Sequence, residues 1–172
     1  MDRRSEMGTE LLEIARAMLP TLRERAADAE RATCLPADTI SELVSSGLFK
    51  AGLAARYGGY EIPLDELCDI IATLAEACAS TAWVYGVMSD HNISVGMFEP
   101  RVQDEIWGNN PEALISSCLM PSGRAVRVYD GFMLNGQWRF CSGCDYADWI
   151  FVGSVPTNDA GGDSEPPRLF LI

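Results

Sequence analysis

The pattern of apolar residues changes at about residue 110. Before this point, apolar side chains recur at intervals of three and four residues, the spacing of amphipathic helices. After Pro111 the chain consists of short β-prone runs separated by glycine, proline and an Asp-Gly pair. This change predicts an α+β fold with two domains, an all-helical domain over residues 1–110 and a β domain over residues 111–172.

The first domain is predicted to contain five helices, over residues 6–32, 36–46, 63–78, 81–95 and 100–107. Pro20 lies inside the first helix and predicts either a kink or two shorter helices. Gly47 ends the second helix, Pro63 takes the first position of the third, and Ser80 or Thr81 caps the fourth. The fourth helix is apolar on nearly all sides, which predicts that it is buried.

The second domain is predicted to contain six strands, over residues 113–119, 124–129, 132–134, 137–141, 149–155 and 168–172. Asp130-Gly131 is typical of a hairpin turn, and residues 157–167 are rich enough in glycine, aspartate and proline to form a solvated loop. The chain ends inside an apolar run, so we expect the sequence to be incomplete.

The composition excludes several classes of partner. The 172 residues carry 25 acidic and 13 basic side chains, a net charge of −12 that repels nucleic acid. No stretch approaches the roughly 20 consecutive apolar residues that span a bilayer, and the first residues lack the apolar core of a signal peptide. We therefore expect a cytoplasmic protein that binds neither nucleic acid nor membrane. The six cysteines lie mostly in apolar segments, which favours reduced, buried thiols.

Cys141 and Cys144 have the C-x-x-C spacing of a zinc or redox site. Zinc needs two further ligands at suitable spacing, and a thioredoxin-like site opens a helix, whereas these cysteines lie in a β-rich stretch. Packing cysteines are therefore favoured, and no metal is expected. The sequence contains no G-x-S-x-G, G-x-G-x-x-G, P-loop or H-E-x-x-H motif, so nothing supports a hydrolase, a kinase or a Rossmann enzyme.

His91 is the only histidine and lies eight residues after Trp83, on the same side of the predicted fourth helix. It can be either a hydrogen-bonded core residue or a general base. Ser116, Ser117 and Ser142 lie in β-prone segments, where their hydroxyls can either be satisfied by the backbone or bind a ring. The residues alone leave both alternatives open.

Residues 136–149 read G-Q-W-R-F-C-S-G-C-D-Y-A-D-W and precede an apolar strand. This run resembles the pattern G-x-W-x-F-x-S-G-C-D-H-x-D-W of the group D flavin-dependent monooxygenases, two-component enzymes of the acyl-CoA dehydrogenase-like superfamily. Residues 57–59, 79–83 and 114–123 agree with that family in order and spacing. The family includes the oxygenases of p-hydroxyphenylacetate 3-hydroxylase and of secosteroid phenol hydroxylase.

The resemblance implies an acyl-CoA dehydrogenase-like helical domain followed by a middle β-barrel-like domain, with the family's C-terminal four-helix bundle missing here. It implies an oxygenase component that hydroxylates a small phenolic or indole-like substrate with dioxygen, through a flavin C4a-hydroperoxide. The reduced flavin, FMNH2 or FADH2, comes from a separate flavin reductase, and the full-length protein is a homo-oligomer, a tetramer. Because the bundle supplies part of the active site, we expect this chain alone to turn over little.

The resemblance also implies roles for individual residues at the flavin. Ser142 hydrogen-bonds near flavin N5 and steadies the hydroperoxide, so it is cofactor-binding and catalytic. Phe140 and Cys141 flank the isoalloxazine through their backbone. The chain departs from the family at Cys141, where many members have serine, and at Tyr146, where many have histidine. Both departures leave the substrate open.

On the substrate side, the resemblance implies that His91 faces the phenol and withdraws its proton, while Trp83 and Ser117 line the pocket. This arrangement requires the imidazole of His91 and the hydroxyl of Ser142 to point into one cavity. Three alternatives remain: an acyl-CoA dehydrogenase-type FAD oxidoreductase, a sulfur- or nitrogen-oxidising monooxygenase, and a truncated, non-catalytic assembly module of the same fold.

Overall fold

A computed structural model of the chain describes residues 3–157 and 165–172, with side chains from residue 6 onwards. The chain divides into two compact units, Met1–Ala113 and Leu114–Ile172. The first is built of helices and is called the helical unit below. The second is built of strands and is called the sheet unit.

The helical unit contains five α-helices: α1 (Arg3–Ala32), α2 (Ala37–Ser45), α3 (Leu64–Ala75), α4 (Ala79–Gly96) and α5 (Pro100–Trp107). Short 3-10 turns at Leu48–Lys50 and Ala55–Tyr57 lie between α2 and α3. Helix α2 ends as predicted, because Gly47 adopts φ 80°, a left-handed conformation that glycine reaches without a steric cost. Helix α3 packs against both α1 and α4.

Helix α1 continues through Pro20 as a single helix, which excludes two shorter helices, one of the two alternatives predicted. A proline inside a helix costs about 3 kcal/mol, because it removes one hydrogen bond and crowds the preceding turn. Leu11, Ala15, Leu19 and Leu22 form a buried stripe on both sides of Pro20. Burial of this stripe offsets the cost and keeps the helix continuous.

Helix α4 differs from its prediction in two respects. Its N-terminal cap is Cys78, which makes no side-chain capping hydrogen bond, and Ser80 and Thr81 lie inside the first turn. The helix is not buried on all sides, since the Trp83 side chain is 65% exposed. Trp83 is therefore a large aromatic residue of α4 that the other described residues do not cover.

The sheet unit contains four strands: β1 (Ile115–Val128), β2 (Gly131–Asn135), β3 (Trp149–Thr157) and β4 (Arg168–Leu171), in the order β2-β1-β3-β4. Strand β1 is antiparallel to β2 and parallel to β3, and β3 is antiparallel to β4. The hairpin predicted at Asp130-Gly131 joins β1 to β2. The two strands predicted over residues 113–129 are one strand, whose register with β3 shifts between Cys118 and Gly123.

The sheet is curled. Phe132 on β2 and Phe170 on β4 are separated by two intervening strands, yet their ring centroids lie 5.2 Å apart. Glu165 supports the same face, since it accepts hydrogen bonds from Arg127 on β1 and from Arg168 on β4. The described strands thus form a curved open sheet rather than a closed barrel. Most of the loop predicted over residues 157–167 lies outside the described residues.

Residues 137–141, predicted as a strand, have no regular secondary structure. Side chains rather than a strand ladder hold this segment: Trp138 Nε1 donates to the Gly153 carbonyl at 2.7 Å, and Cys118 Sγ donates to the Arg139 carbonyl at 3.0 Å. Phe140 has φ 62°, which is incompatible with an extended strand.

Among the helices that the structure describes, none has the length and apolar character needed to cross a membrane.

Candidate functional site

Two hydrogen bonds fix helix α4 against the Leu48–Lys50 turn. The Tyr85 hydroxyl donates to the Leu48 carbonyl at 3.1 Å, and the Asn92 amide donates to the Phe49 carbonyl at 2.7 Å. The rings of Phe49 and Tyr85 also pack, with centroids 5.4 Å apart. Since all of these groups are buried, the orientation of α4 about its own axis is well determined.

His91 lies on this fixed helix, directly before Asn92, and the residue is 6% exposed. Burial lowers the pKa of His91 below its ordinary value, while the carboxylate of Asp90, 3.8 Å from Nδ1, opposes this effect. The imidazole is therefore neutral at neutral pH and has one nitrogen that can accept a proton. Trp83, two turns earlier on α4, is largely exposed.

In the sheet unit, two side chains of β1 hold the segment that carries Phe140, Cys141 and Ser142. The Ser116 hydroxyl donates to the Ser142 carbonyl at 2.8 Å, and Cys118 Sγ donates to the Arg139 carbonyl. Residues two apart on a strand share a face, so Ser116 and Cys118 act together. Residues 140–143 are called the Cys-Ser-Gly loop below.

Ser117 projects from β1 on the face opposite to Ser116 and Cys118, because side chains alternate along a strand. It is buried and pairs in register with Phe151 of β3. The sheet unit therefore presents Ser117 on one face and the Cys-Ser-Gly loop on the other. The structure thus brings together Phe140, Cys141 and Ser142, but places Ser117 on the other face.

The Cys-Ser-Gly loop has an unusual backbone. Phe140 is in the left-handed region, and its ring is 95% exposed. The Ser142 N–H donates to the Phe140 carbonyl at 3.1 Å, and the Cys144 N–H donates to the Cys141 carbonyl at 3.1 Å. Among residues 3–157 and 165–172, no acceptor is found for the Phe140 or the Cys141 N–H. The loop thus combines an exposed ring, two backbone donors and a serine hydroxyl.

This donor set fits the flavin that the sequence resemblance implies. A reduced isoalloxazine needs hydrogen-bond donors at its carbonyl oxygens, an acceptor at its N5–H, and an apolar surface for its ring. The two backbone N–H groups can donate to the carbonyl oxygens, the Ser142 hydroxyl oxygen can accept from N5–H, and the Phe140 side chain offers the apolar surface. The anchoring by Ser116 and Cys118 holds these groups in a defined position before a ligand binds.

The remaining residues of the motif are structural. Asp148 receives a hydrogen bond from the Leu114 N–H at 2.9 Å and returns one from its own N–H to the Leu114 carbonyl at 2.9 Å. Trp138 is bound to Gly153, as described above. Trp138 and Asp148 therefore hold the run against the sheet on either side of the Phe-Cys-Ser-Gly residues.

The Tyr57-Gly58-Gly59 segment is also structural. The Tyr57 hydroxyl donates to Asp104 of α5 at 2.6 Å, and its ring lies 5.5 Å from that of Trp107. A side chain at Gly59 would place its β-carbon 1.9 Å from the Leu53 carbonyl oxygen. This segment ties the loop before α3 to α5.

Sequence reasoning missed three supporting residues. The sequence indicates Ser116 only as a possible ligand and Cys118 only as a buried, reduced thiol, and it indicates no role for Asn92. A signal existed for the first two, since polar and thiol side chains two apart in an otherwise apolar strand must bind something on their shared face. For Asn92 the only signal was its position inside an apolar helix, which does not reveal its partner, the carbonyl of Phe49.

The cysteines are less buried than expected. Only Cys78 and Cys118 are buried, whereas Cys68 and Cys144 are exposed, and none forms a disulfide. Burial and the neighbouring thiols of Cys118 and Cys144 raise the pKa of Cys141 to about 11, so this thiol is protonated at neutral pH. Within the described ranges, no group of three histidine, cysteine or acidic side chains is arranged to hold a metal ion.

Known proteins match this chain in sequence and in fold. Residues 6–97 match the acyl-CoA dehydrogenase N-terminal domain family. The oxygenase component of p-hydroxyphenylacetate 3-hydroxylase from Acinetobacter baumannii is 38% identical over 146 residues, which cover 85% of this chain and 35% of that protein. The chain therefore spans about a third of the length of this relative.

Two solved structures share the fold over almost the whole chain. The HsaA monooxygenase from M. tuberculosis superposes with a TM-score of 0.88 and 34% identity, over 96% of this chain and 44% of that one. XiaF from Streptomyces sp., in complex with FADH2 and glycerol, has a TM-score of 0.92 and 27% identity, over 98% of this chain and 42% of that one. The chain belongs to the acyl-CoA dehydrogenase family, as a relative of the oxygenase components of flavin-dependent monooxygenases.

Proposed function

We propose that this chain forms the N-terminal part of the oxygenase component of a two-component flavin-dependent monooxygenase, which hydroxylates a small phenolic or indole-like substrate. The single observation that carries the proposal is the Cys-Ser-Gly loop, an anchored segment that exposes an aromatic ring beside hydrogen-bond donors. Its donor set suits a reduced flavin, either FMNH2 or FADH2. When bound, that flavin supplies the activation of dioxygen.

The loop residues have distinct roles in this proposal. The backbone N–H groups of Phe140 and Cys141 bind the carbonyl edge of the isoalloxazine, and the Ser142 hydroxyl oxygen accepts a hydrogen bond from the N5–H of the reduced flavin. The Ser116 hydroxyl holds the Ser142 carbonyl and so fixes the direction of the donors. Because Cys141 is protonated, it adds no negative charge beside the flavin.

On the substrate side, His91 is the proposed general base. Its lowered pKa favours the neutral imidazole over the charged one. The neutral form is the one that accepts the phenolic proton, at Nδ1 or Nε2. Removal of that proton makes the aromatic ring more electron-rich and more reactive towards an electrophilic oxygen. Trp83 and Ser117 are proposed to line the substrate pocket.

The proposal extends to the whole protein. The relatives named as oxygenase components support a separate flavin reductase as partner, and dioxygen as co-substrate. We further propose the domain division at residues 110 and 111, a homo-oligomeric assembly, a tetramer, and a cytoplasmic location. These parts rest on the family resemblance and on the composition of the chain.

Anaerobic titration of the purified full-length protein with FMNH2 and with FADH2 tests the cofactor. Oxygen and a panel of phenols and indoles are then added, and mass spectrometry detects the products. We expect saturable binding of one reduced flavin and an oxygen atom added to at least one aromatic compound. Absence of reduced-flavin binding would contradict the cofactor assignment and with it the activity.

His91→Asn tests the general base, because asparagine preserves polarity and approximate size but cannot take a proton at neutral pH. We expect hydroxylation of a phenol to slow by about 10²-fold or more, while binding of reduced flavin stays unchanged. Cys68→Ser, on the exposed surface of α3, is the matched control and should alter neither quantity. An equal loss of flavin binding and hydroxylation in His91→Asn would refute the base assignment.

A further inference from the structure

The three cysteines of the sheet unit lie together at the Cys-Ser-Gly loop. The Cys141 thiol interacts with the Cys118 thiol, which itself donates to the Arg139 carbonyl at 3.0 Å. Cys144 follows Cys141 by three residues and is close enough to influence its ionisation. The proposed flavin contacts of Cys141 use its backbone, and serine is common at this position in the family that the chain resembles.

The backbone already holds Cys141 and Cys144 at a distance suited to a disulfide. The Cys144 N–H donates to the Cys141 carbonyl at 3.1 Å, which is the hydrogen bond of a four-residue turn. Such a turn keeps its first and last α-carbons within about 7 Å, and disulfides bridge α-carbons roughly 4.4–6.8 Å apart. Gly143, with φ 82°, supplies the reversal between the two cysteines.

The three thiols differ in their access to an oxidant. Cys144 is exposed and Cys141 is half-buried, whereas Cys118 is 4% exposed. A dissolved oxidant therefore meets Cys144 first, and Cys141 is the neighbouring thiol that can react next.

We propose that Cys141 and Cys144 form a redox-sensitive dithiol, which hydrogen peroxide closes to a disulfide between the Cys-Ser-Gly loop and the residue that follows it. The Cys144 sulfur attacks one peroxide oxygen, the O–O bond breaks, and Cys144 becomes a sulfenic acid as one water leaves. The Cys141 sulfur then attacks the Cys144 sulfur, the S–O bond breaks, and the Cys141 proton leaves with the hydroxyl as a second water. Two thiols and one peroxide thus give one disulfide and two waters, with two electrons passing from sulfur to oxygen.

This dithiol is independent of the proposed monooxygenase activity, because its chemistry needs only the two thiols and peroxide. It nevertheless encloses Ser142 and Gly143, so closure of the disulfide stiffens the part of the loop that carries the serine hydroxyl. A thiol titration therefore tests the dithiol by itself, without a flavin or an aromatic substrate.

The test treats the folded, reduced protein with hydrogen peroxide and counts its free thiols before and after. Each count is made after denaturation, which exposes all six cysteines. We expect the loss of two thiols, recovery of both by dithiothreitol, and a peptide map that links Cys141 to Cys144. In Cys141→Ser we expect no disulfide and a sulfenic acid at Cys144 that dimedone traps. Cys68→Ser removes the exposed thiol on α3 and should leave the two-thiol loss unchanged.

Three results would overturn the proposal. One is the survival of all six thiols at a peroxide concentration that oxidises free cysteine. Another is a map that links Cys118 to Cys141 or joins two chains. The last is a two-thiol loss that persists in both Cys141→Ser and Cys144→Ser. Because the map of the unaltered protein decides the pairing, misfolding of a variant does not prevent a decision.

Discussion

At the scale of single residues, burial sets the protonation state of two groups that matter most to the site. It lowers the pKa of His91 and raises the pKa of Cys141, so both side chains are neutral at neutral pH. The two shifts have the same cause and opposite signs, because histidine is charged when protonated and cysteine when deprotonated. A neutral imidazole can accept a proton from a phenol. A neutral thiol adds no negative charge beside the bound ligand.

The lowered pKa of His91 makes the folded state sensitive to acid. As the pH falls through the ordinary histidine value of about 6.5, the unfolded chain takes up a proton that the folded protein resists. This contribution to stability is therefore present above pH 6.5 and is lost as the pH falls below it. We expect His91→Gln to remove the contribution, so that the wild-type protein loses more free energy of unfolding than the variant between pH 7.5 and pH 5.5.

Urea denaturation of both proteins at the two pH values measures this difference. Both proteins contain the same carboxylates, so the effect of carboxylate titration on the free energy of unfolding cancels when the two proteins are compared. An identical dependence on pH in the two proteins would show that His91 is exposed to water in solution, contrary to its 6% exposure.

At the scale of the element, strand β1 gives neighbouring residues different tasks. Ser116 and Cys118 hold the Cys-Ser-Gly loop on one face, and Ser117 is on the other. Adjacent serines therefore differ in function because of strand alternation alone. This contrast allows the two hydroxyl groups to be tested by the same substitution.

We expect Ser116→Ala to weaken binding of reduced flavin by roughly 3- to 10-fold, since a lost hydrogen bond of about 1 kcal/mol frees the Ser142 carbonyl. Ser117→Ala is the matched control, because it removes the same atom from the opposite face. It should leave flavin binding unchanged and alter only the KM for the aromatic substrate. Equal effects of the two substitutions on flavin binding would contradict the anchoring role of Ser116.

The close approach of Trp138 to β1 depends on Gly123. A β-carbon at position 123 would lie 2.2 Å from the Trp138 ring and 2.5 Å from the Ser154 hydroxyl oxygen. We expect Gly123→Ala to destabilise the protein by about 1–3 kcal/mol through overpacking. Gly96→Ala provides a control, because its β-carbon would meet no atom within 4 Å at the end of α4. Thermal unfolding followed by circular dichroism distinguishes the two, and a tolerated Gly123→Ala would mean that Trp138 is loosely held.

The same elements show what sequence patterns can and cannot predict. Helical periodicity predicted α5 at its observed bounds, and Asp130-Gly131 predicted the β1–β2 hairpin, because both are local features. The segment over 137–141 was predicted wrongly as a strand, since a β-prone composition does not reveal tethering by Trp138 and Cys118. The grouping of Phe140, Cys141 and Ser142 followed from their adjacency, whereas the Ser116 contact spans 26 residues and depends on tertiary structure.

At the scale of the whole molecule, the charge is divided unevenly. Residues 1–113 contain 19 acidic and nine basic side chains, whereas residues 114–172 contain six and four. Most of the net charge of −12 therefore belongs to the helical unit. Repulsion among like charges opposes a compact state and is screened by salt.

We expect moderate salt to stabilise the protein. Raising sodium chloride from about 10 mM to about 150 mM shortens the screening length from roughly 30 Å to roughly 8 Å and should raise the unfolding temperature by a few degrees. Differential scanning calorimetry measures the change, with sucrose of matched osmolality as the uncharged control. A lower unfolding temperature in salt would mean that attractive pairs such as Arg25 and Glu42 outweigh the repulsion.

The shift in register between β1 and β3 has a mechanical consequence. From Cys118 to Gly123 the chain advances five positions on β1, while its partners on β3 advance only from Val152 to Ser154. A slip of one residue in a regular ladder would turn every side chain to the wrong face. Here the additional residues between Cys118 and Gly123 absorb such a slip, so a change in the register of the hairpin beyond Gly123 would leave the orientation of Ser116 and Ser117 unchanged.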